Sequence, residues 1–121
     1  MIPAPPVINC EIALARLGRD EQLLARLAEF FLEDGPALMS EIDTAIGLQD
    51  LEATTQAAHS LKGMVANFEA VAAMAAARQL ESLQQDGTLD GCQPLVERLR
   101  IEIERVIEAL KVLLFGRNVS S

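Results

Sequence analysis

The chain has 121 residues, enough for one domain of ordinary size, and half of them are apolar, which excludes a disordered polypeptide. A formal net charge of −8 repels phosphate backbones, and 3% aromatics with no Trp or Tyr leave no stacking platform, so nucleic-acid binding is not expected. No apolar run reaches membrane-spanning length, the N-terminus lacks a signal-peptide pattern, and Cys10 and Cys92 fit neither a metal spacing nor a disulfide framework, so a cytoplasmic protein with reduced thiols is expected.

Residues 1–8, opening Met1-Ile2-Pro3-Ala4-Pro5-Pro6, are expected to be a disordered N-terminal segment, and residues 116–121 a disordered tail. The single domain between them covers residues 9–115. The Met1 start and the flexible ends favour a stand-alone protein over a piece of a larger kinase. Asn9 is placed to cap a short helix running to Leu17, with Gly18 ending it. Asp20 caps the next helix, in which Leu24, Leu27, Phe31, Leu38, Ile42 and Ala45 recur at helical spacing. Gly35-Pro36 interrupts that stripe without changing its phase. One helix kinked at Pro36 and ending near Gly47 is therefore expected.

The third helix starts near Asp50, with Leu51, Ala58, Leu61, Val65 and Phe68 on its apolar stripe. The pattern changes face around Asn67 to Ala70. An Ala-rich fourth helix then turns Ala73, Ala76, Leu80 and Leu83 inward and stops near Asp86-Gly87. The last helix reaches about Phe115, with Leu95, Leu99, Ile103, Val106, Leu110 and Leu113 inward and Glu97, Arg100, Glu104, Glu108 and Lys111 outward. Either Asp90 caps it or Pro94 opens it. No segment alternates with a period of two. The pattern predicts an all-α fold: an antiparallel up-down four-helix bundle with a short extra N-terminal helix.

The chain has one histidine, His59, in the run Ala57-Ala58-His59-Ser60-Leu61-Lys62-Gly63. The core stripe passes through Ala58 and Leu61, and one residue turns a helix by about 100°, so His59 falls on the flank of the bundle. Lys62 and Gly63 lie one turn along, on the face of the imidazole. Free imidazole, with a pKa of about 6.5, is a good nucleophile near neutral pH. A phosphoryl group on it brings negative charge that Lys62 can offset. Gly63 costs roughly 1 kcal/mol relative to alanine in a helix interior. Keeping the approach to His59 clear for a second protein is a sufficient reason for it. Between Thr54 and Ala77 the only formal charges besides the histidine are Lys62 and Glu69, which predicts a weakly charged docking surface.

The run His59-Ser60-Leu61-Lys62-Gly63, followed by Ala66-Asn67, resembles the signature of histidine-containing phosphotransfer (HPt) domains. Leu14-Ala15-Arg16-Leu17-Gly18 with Asp20-Glu21, then Phe30-Phe31-Leu32-Glu33-Asp34 before Pro36, and Ala77-Arg78-Gln79-Leu80-Glu81 extend the resemblance over about residues 9 to 112. It implies a four-helix bundle that takes phosphate from the aspartate of one receiver domain and passes it to another. The partners implied are the receiver domains of a hybrid sensor histidine kinase and of a response regulator. By position, His59 is the phosphoacceptor, Lys62 the phosphate-side cation and Gly63 the clearance position. No cofactor is implied, Mg²⁺ belonging to the partner receiver, and the carrier is expected to be a monomer without catalytic activity of its own. Phe68-Glu69-Ala70 departs from the small residue or glycine usual before the fourth helix, and Met64 from the usual small polar residue. Both departures are expected to bear on partner choice. The alternative reading, a non-phosphorylated scaffold or adaptor of the same fold, is opposed by the retention of His59, Lys62 and Gly63. A metal-binding bundle fails on ligand count.

Overall fold

The computed structural model describes residues 6–116. Six helices follow in chain order: α1 (Cys10–Arg16), α2 (Glu21–Gly47), α3 (Leu51–Ala66), α4 (Val71–Glu81), α5 (Leu83–Asp86) and α6 (Gln93–Phe115). The first three begin where the sequence places a cap. The backbone N–H of Ile12 donates to the Asn9 side chain at 3.1 Å, Leu23 to Asp20 at 2.9 Å and Ala53 to Asp50 at 3.0 Å. Each bond satisfies one of the amides a helix start leaves unpaired. Three of the connections turn through a non-glycine residue in the left-handed region, Arg19 (φ +65°, after Gly18 at +69°), Gln49 (φ +56°) and Glu69 (φ +55°).

α2 is a single helix that contains Pro36. The glycine before that proline has a packing role. Gly35 is buried, and a Cβ there would lie 2.9 Å from the ring of Phe31. Phe31 in turn meets Phe68 edge-on, with centroids 6.1 Å apart. The fourth-helix expectation needs amending. Instead of running unbroken to Asp86, α4 stops at Glu81, and a one-turn α5 carries Leu83 into the core before Gly87 turns left-handed at φ +75°. At the break the Ser82 hydroxyl donates to the carbonyl of Gln79 at 2.6 Å, a local bond that competes with helix continuation. Pro94 sits in the first turn of α6, and Asp90 lies in the turn before it without capping.

α3 is the central element, packed against α2 on one side and α4 on the other, while α6 closes the bundle against both. Phe31, Ile42, Ala58, Leu61, Val65, Phe68, Ala77, Leu80, Leu99 and Leu110 are fully buried. Ala73, Ala76 and Ala77 present only methyl groups inward, which lets the neighbours of α4 approach closely. Leu95 is only partly buried, and the adjacent Val96 takes the inward position. Leu113, expected inside, is exposed, because the last turn of α6 has core contacts only through Leu110 and the half-buried Leu114. Glu102 on the same helix is buried between Arg98 and Arg105, whose guanidinium nitrogens lie 3.6 and 3.5 Å from it. The expected disorder of residues 1–8 is also corrected in part. Val7 and Ile8 are half-buried against the core, and the Asn9 N–H donates to the carbonyl of Phe68 at 2.8 Å. The disorder expected for residues 1–5 and 117–121 falls outside the described residues.

Candidate functional site

Three side chains from two helices meet on the flank of the bundle, and each follows a fully buried anchor. Ala58 and Leu61 bury one edge of α3 completely, so the next residue after each, His59 and Lys62, turns out of the core toward α4. On α4, Leu80 is fully buried and Glu81 comes next. Because the two helices are joined by a short turn they run antiparallel, and Glu81 arrives level with His59. Its Oε2 lies 2.6 Å from Nδ1 of His59, and its Oε1 lies 2.6 Å from Nζ of Lys62. One turn further on, the buried Thr55 hydroxyl lies 2.7 Å from Oε1 of Gln84 and 3.0 Å from the carbonyl of Leu51 in its own helix. That contact ties α3 to α5 and fixes the register in which His59 and Glu81 meet.

The electrostatics follow from this geometry. The Lys62 hydrogen bond holds the Glu81 carboxyl below its ordinary range. Partial burial opposes that shift, and the His59 hydrogen bond with the attraction of the Lys62 ammonium adds to it. An ionised carboxylate can only accept hydrogen bonds, so the ring nitrogen facing it carries the proton. In neutral imidazole this leaves Nε2 with its lone pair, on the side of the ring away from Glu81. The His59 side chain is 68% exposed, against 26% for Lys62 and 27% for Glu81. The ring is therefore oriented, with Nδ1 held by a charged acceptor and Nε2 turned toward solvent. A phosphorus centre brought to that nitrogen by a second molecule would find room. A Cβ built on Gly63 meets nothing within 4 Å.

The structure thus brings His59 and Lys62 together through Glu81, and places Gly63 at an open position on the same helix. Glu81 is the residue that sequence reasoning missed as part of the site. The signal was present in Leu80-Glu81, an acid directly after a core leucine on the helix that packs opposite. Assigning it required knowing the register between α3 and α4. The expectation of a weakly charged surface also holds only on one side. On α3 and at its C-cap, Ser60, Gly63 and Asn67 are exposed and uncharged. On the other side a groove of about 810 Å³ between α3, α4 and α5 is bordered by Glu52, Lys62, Arg78 and Glu81 as well as His59. The two departures from the family pattern do not join the site. Phe68 is core, and Glu69 is held by Arg16, with 2.7 Å between guanidinium and carboxylate. Met64 is half-buried against the core.

Among the described residues no group of three His, Cys, Asp or Glu side chains is arranged to hold a metal ion. No helix of the described residues is long and apolar enough to cross a membrane. The family model for the Hpt domain matches residues 26–109. A similar solved structure is the crystal structure of the HPT domain from the Hpt sensor hybrid histidine kinase from Shewanella. It matches with a TM-score of 0.82 over 93% of this chain and 97% of that one, at 20% sequence identity. No curated protein sequence matches the chain.

Proposed function

The chain belongs to the Hpt domain family, phosphocarrier modules of two-component signalling, and on that premise we propose that it carries a phosphoryl group on His59 between the aspartates of two receiver domains. One observation carries the reading. Glu81 occupies Nδ1 of the chain's only histidine and leaves Nε2 free on an exposed ring. In the forward step the Nε2 lone pair attacks the phosphorus of a receiver's aspartyl phosphate. The N–P bond forms, the P–O bond to the aspartate breaks, and the aspartate leaves as a carboxylate. The ring then carries a positive charge and keeps its Nδ1 proton, which the Glu81 carboxylate stabilises. In the second step the carboxylate of another receiver attacks the same phosphorus, and the imidazole leaves neutral. Lys62 holds Glu81 charged, and Gly63 keeps the approach open.

Every one of these roles is that of a carrier. The groups supplied are a nucleophile, its orienting carboxylate and a cation, and the second substrate arrives on another protein. Mg²⁺, in this reading, belongs to the receiver and not to this chain. The partners proposed are the receiver domains of a hybrid sensor histidine kinase and of a response regulator, met one at a time in the cytoplasm by a monomeric carrier whose domain covers residues 9–115. The test is direct. Incubation with a phosphorylated receiver should label the wild-type protein with an acid-labile phosphoryl group, and His59→Gln should take up none. Labelling of the variant at the wild-type rate would remove His59 from the mechanism.

A further inference from the structure

Lys62 is the expected partner for a phosphoryl group on His59, yet its charge is already taken. Its Nζ lies 2.6 Å from the Glu81 carboxylate, and the two charges offset each other. The groove beside His59 holds four formal charges, Glu52 and Glu81 against Lys62 and Arg78. Before phosphorylation they balance. A phosphoryl group adds up to two negative charges, and these arrive next to a carboxylate that cannot leave. With Lys62 already offset by Glu81, a dianion on a ring that carries one positive charge leaves the site one negative charge in excess.

Arg78 resolves the imbalance. It stands on α4 one turn before Glu81, borders the same groove as His59 and Lys62, is exposed, and forms no ion pair among the described residues. Glu52, the other acid of the groove, is engaged instead by the Gln56 side-chain amide at 3.4 Å. A guanidinium presents several donors in a planar fork that matches two phosphoryl oxygens at once, and its long stem spans the width of a groove. We propose that Arg78 is a second phosphate-binding residue of this chain, which contacts the phosphoryl oxygens on His59 while Lys62 remains with Glu81. The proposal rests on the reading of His59 as phosphoacceptor and adds the residue that receives the group's charge.

The experiment avoids the receiver, so that docking plays no part. Potassium phosphoramidate phosphorylates the free chain: Nε2 of His59 attacks phosphorus, the P–N bond of the donor breaks and ammonia leaves. The phosphohistidine signal is then followed by ³¹P NMR across its titration from monoanion to dianion. A cation on the phosphoryl oxygens favours the dianion and lowers the midpoint. Arg78→Ala should therefore raise the midpoint by about 0.3–0.6 pH units, the size expected of one exposed charge, and Arg78→Lys should restore most of the difference. A structural role for Arg78 would change the melting temperature and leave this midpoint alone. A midpoint in Arg78→Ala within about 0.1 unit of the wild type, less than one exposed charge should give, overturns the proposal and leaves the function standing. If the wild-type chain shows no phosphohistidine signal that His59→Gln abolishes, the reading of His59 falls and this proposal falls with it.

Discussion

Two glycines lie inside long helices of this chain, and only one of them is there for packing. Gly35 in α2 is buried under the Phe31 ring, which is itself wedged against Phe68. A methyl group at 2.9 Å from that ring must displace a side chain with no free space, so Gly35→Ala should destabilise by about 1–3 kcal/mol despite the better helix propensity of alanine. Gly63 in α3 has open space where its Cβ would be, so Gly63→Ala should stabilise by up to about 1 kcal/mol. Gly63→Gln should fold as well as the wild type yet receive phosphate from a receiver far more slowly, since its side chain fills the approach to His59. Thermal melts of the three variants with transfer rates for the last check this pair of assignments. Glu81 gives a prediction with a pH sign. Its carboxyl is held below the ordinary range in the folded state, chiefly by Lys62. Its contribution to stability is therefore present above the unfolded-state pKa and is lost as pH falls through the lower folded value. The difference in melting temperature between wild type and Glu81→Gln should be greatest at neutral pH. It should shrink on acidification through and below the usual carboxylate range, around pH 4. Phosphotransfer should fall in the order wild type, Glu81→Gln, Glu81→Ala, because glutamine keeps an acceptor for Nδ1–H and loses only the charge. A gap that widens toward acid would show that Glu81 is not held charged by the folded state.

Among the elements, the helices were legible in the sequence wherever a cap and an apolar stripe agreed. Asn9, Asp20 and Asp50 each start a helix at the place their side chains dictate. The failures have local causes. The division of α4 from α5 arises from Ser82, whose hydroxyl bonds its own helix backbone, and a hydroxyl in a helical pattern reads as neutral from sequence. Leu113 satisfies the periodicity of α6 but sits where the opposing wall ends, and periodicity carries no information about the length of the neighbours. Glu69 illustrates a departure that the fold explains. The turn between α3 and α4 needs a left-handed residue, at which a side chain is strained, and this chain places there an acid that Arg16 of α1 can hold. The same conformation recurs at Gln49, whose exposed side chain is neutral and offers no ion pair in return. Gln49→Gly should therefore stabilise by about 0.5–1 kcal/mol, whereas Glu69→Gly relieves the same strain and gives up the Arg16 contact, for a smaller net gain. Chemical denaturation of both variants measures the difference directly. An equal gain at both positions would mean that the Arg16 pair adds nothing to the docking of α1.

At the scale of the whole molecule, the candidate histidine was legible because it is the only one in the chain and is followed by Lys62 and Gly63 at helical spacing. Its hydrogen-bond partner was not, because that partner lies 22 positions away across an antiparallel helix pair. The arrangement also bears on assembly. A carrier must expose the same imidazole to two receivers in turn and release each, so the surface around His59 has to stay free between encounters and each contact should be modest in area. The bundle meets the first requirement, since His59 stands on the outer face of α3 at 68% side-chain exposure and the core residues of the long helices are covered by one another. Among the remaining exposed apolar side chains, Phe30, Leu48 and Val71 are scattered singles, whereas Ile101 and Val112 share one face of α6 in a shallow groove that Glu104, Arg105 and Glu108 interrupt with charge. A net charge of −8 adds repulsion between copies at low salt. The chain should consequently sediment as a single 13.1 kDa unit at micromolar concentration, and a receiver should shift it only transiently, in fast exchange. Sedimentation equilibrium at low and at physiological salt checks both halves of the argument. A dimer that persists on dilution, with the His59 ring resonances shifted between the two states, would mean that the reactive face is covered at rest and that transfer has to begin with dissociation.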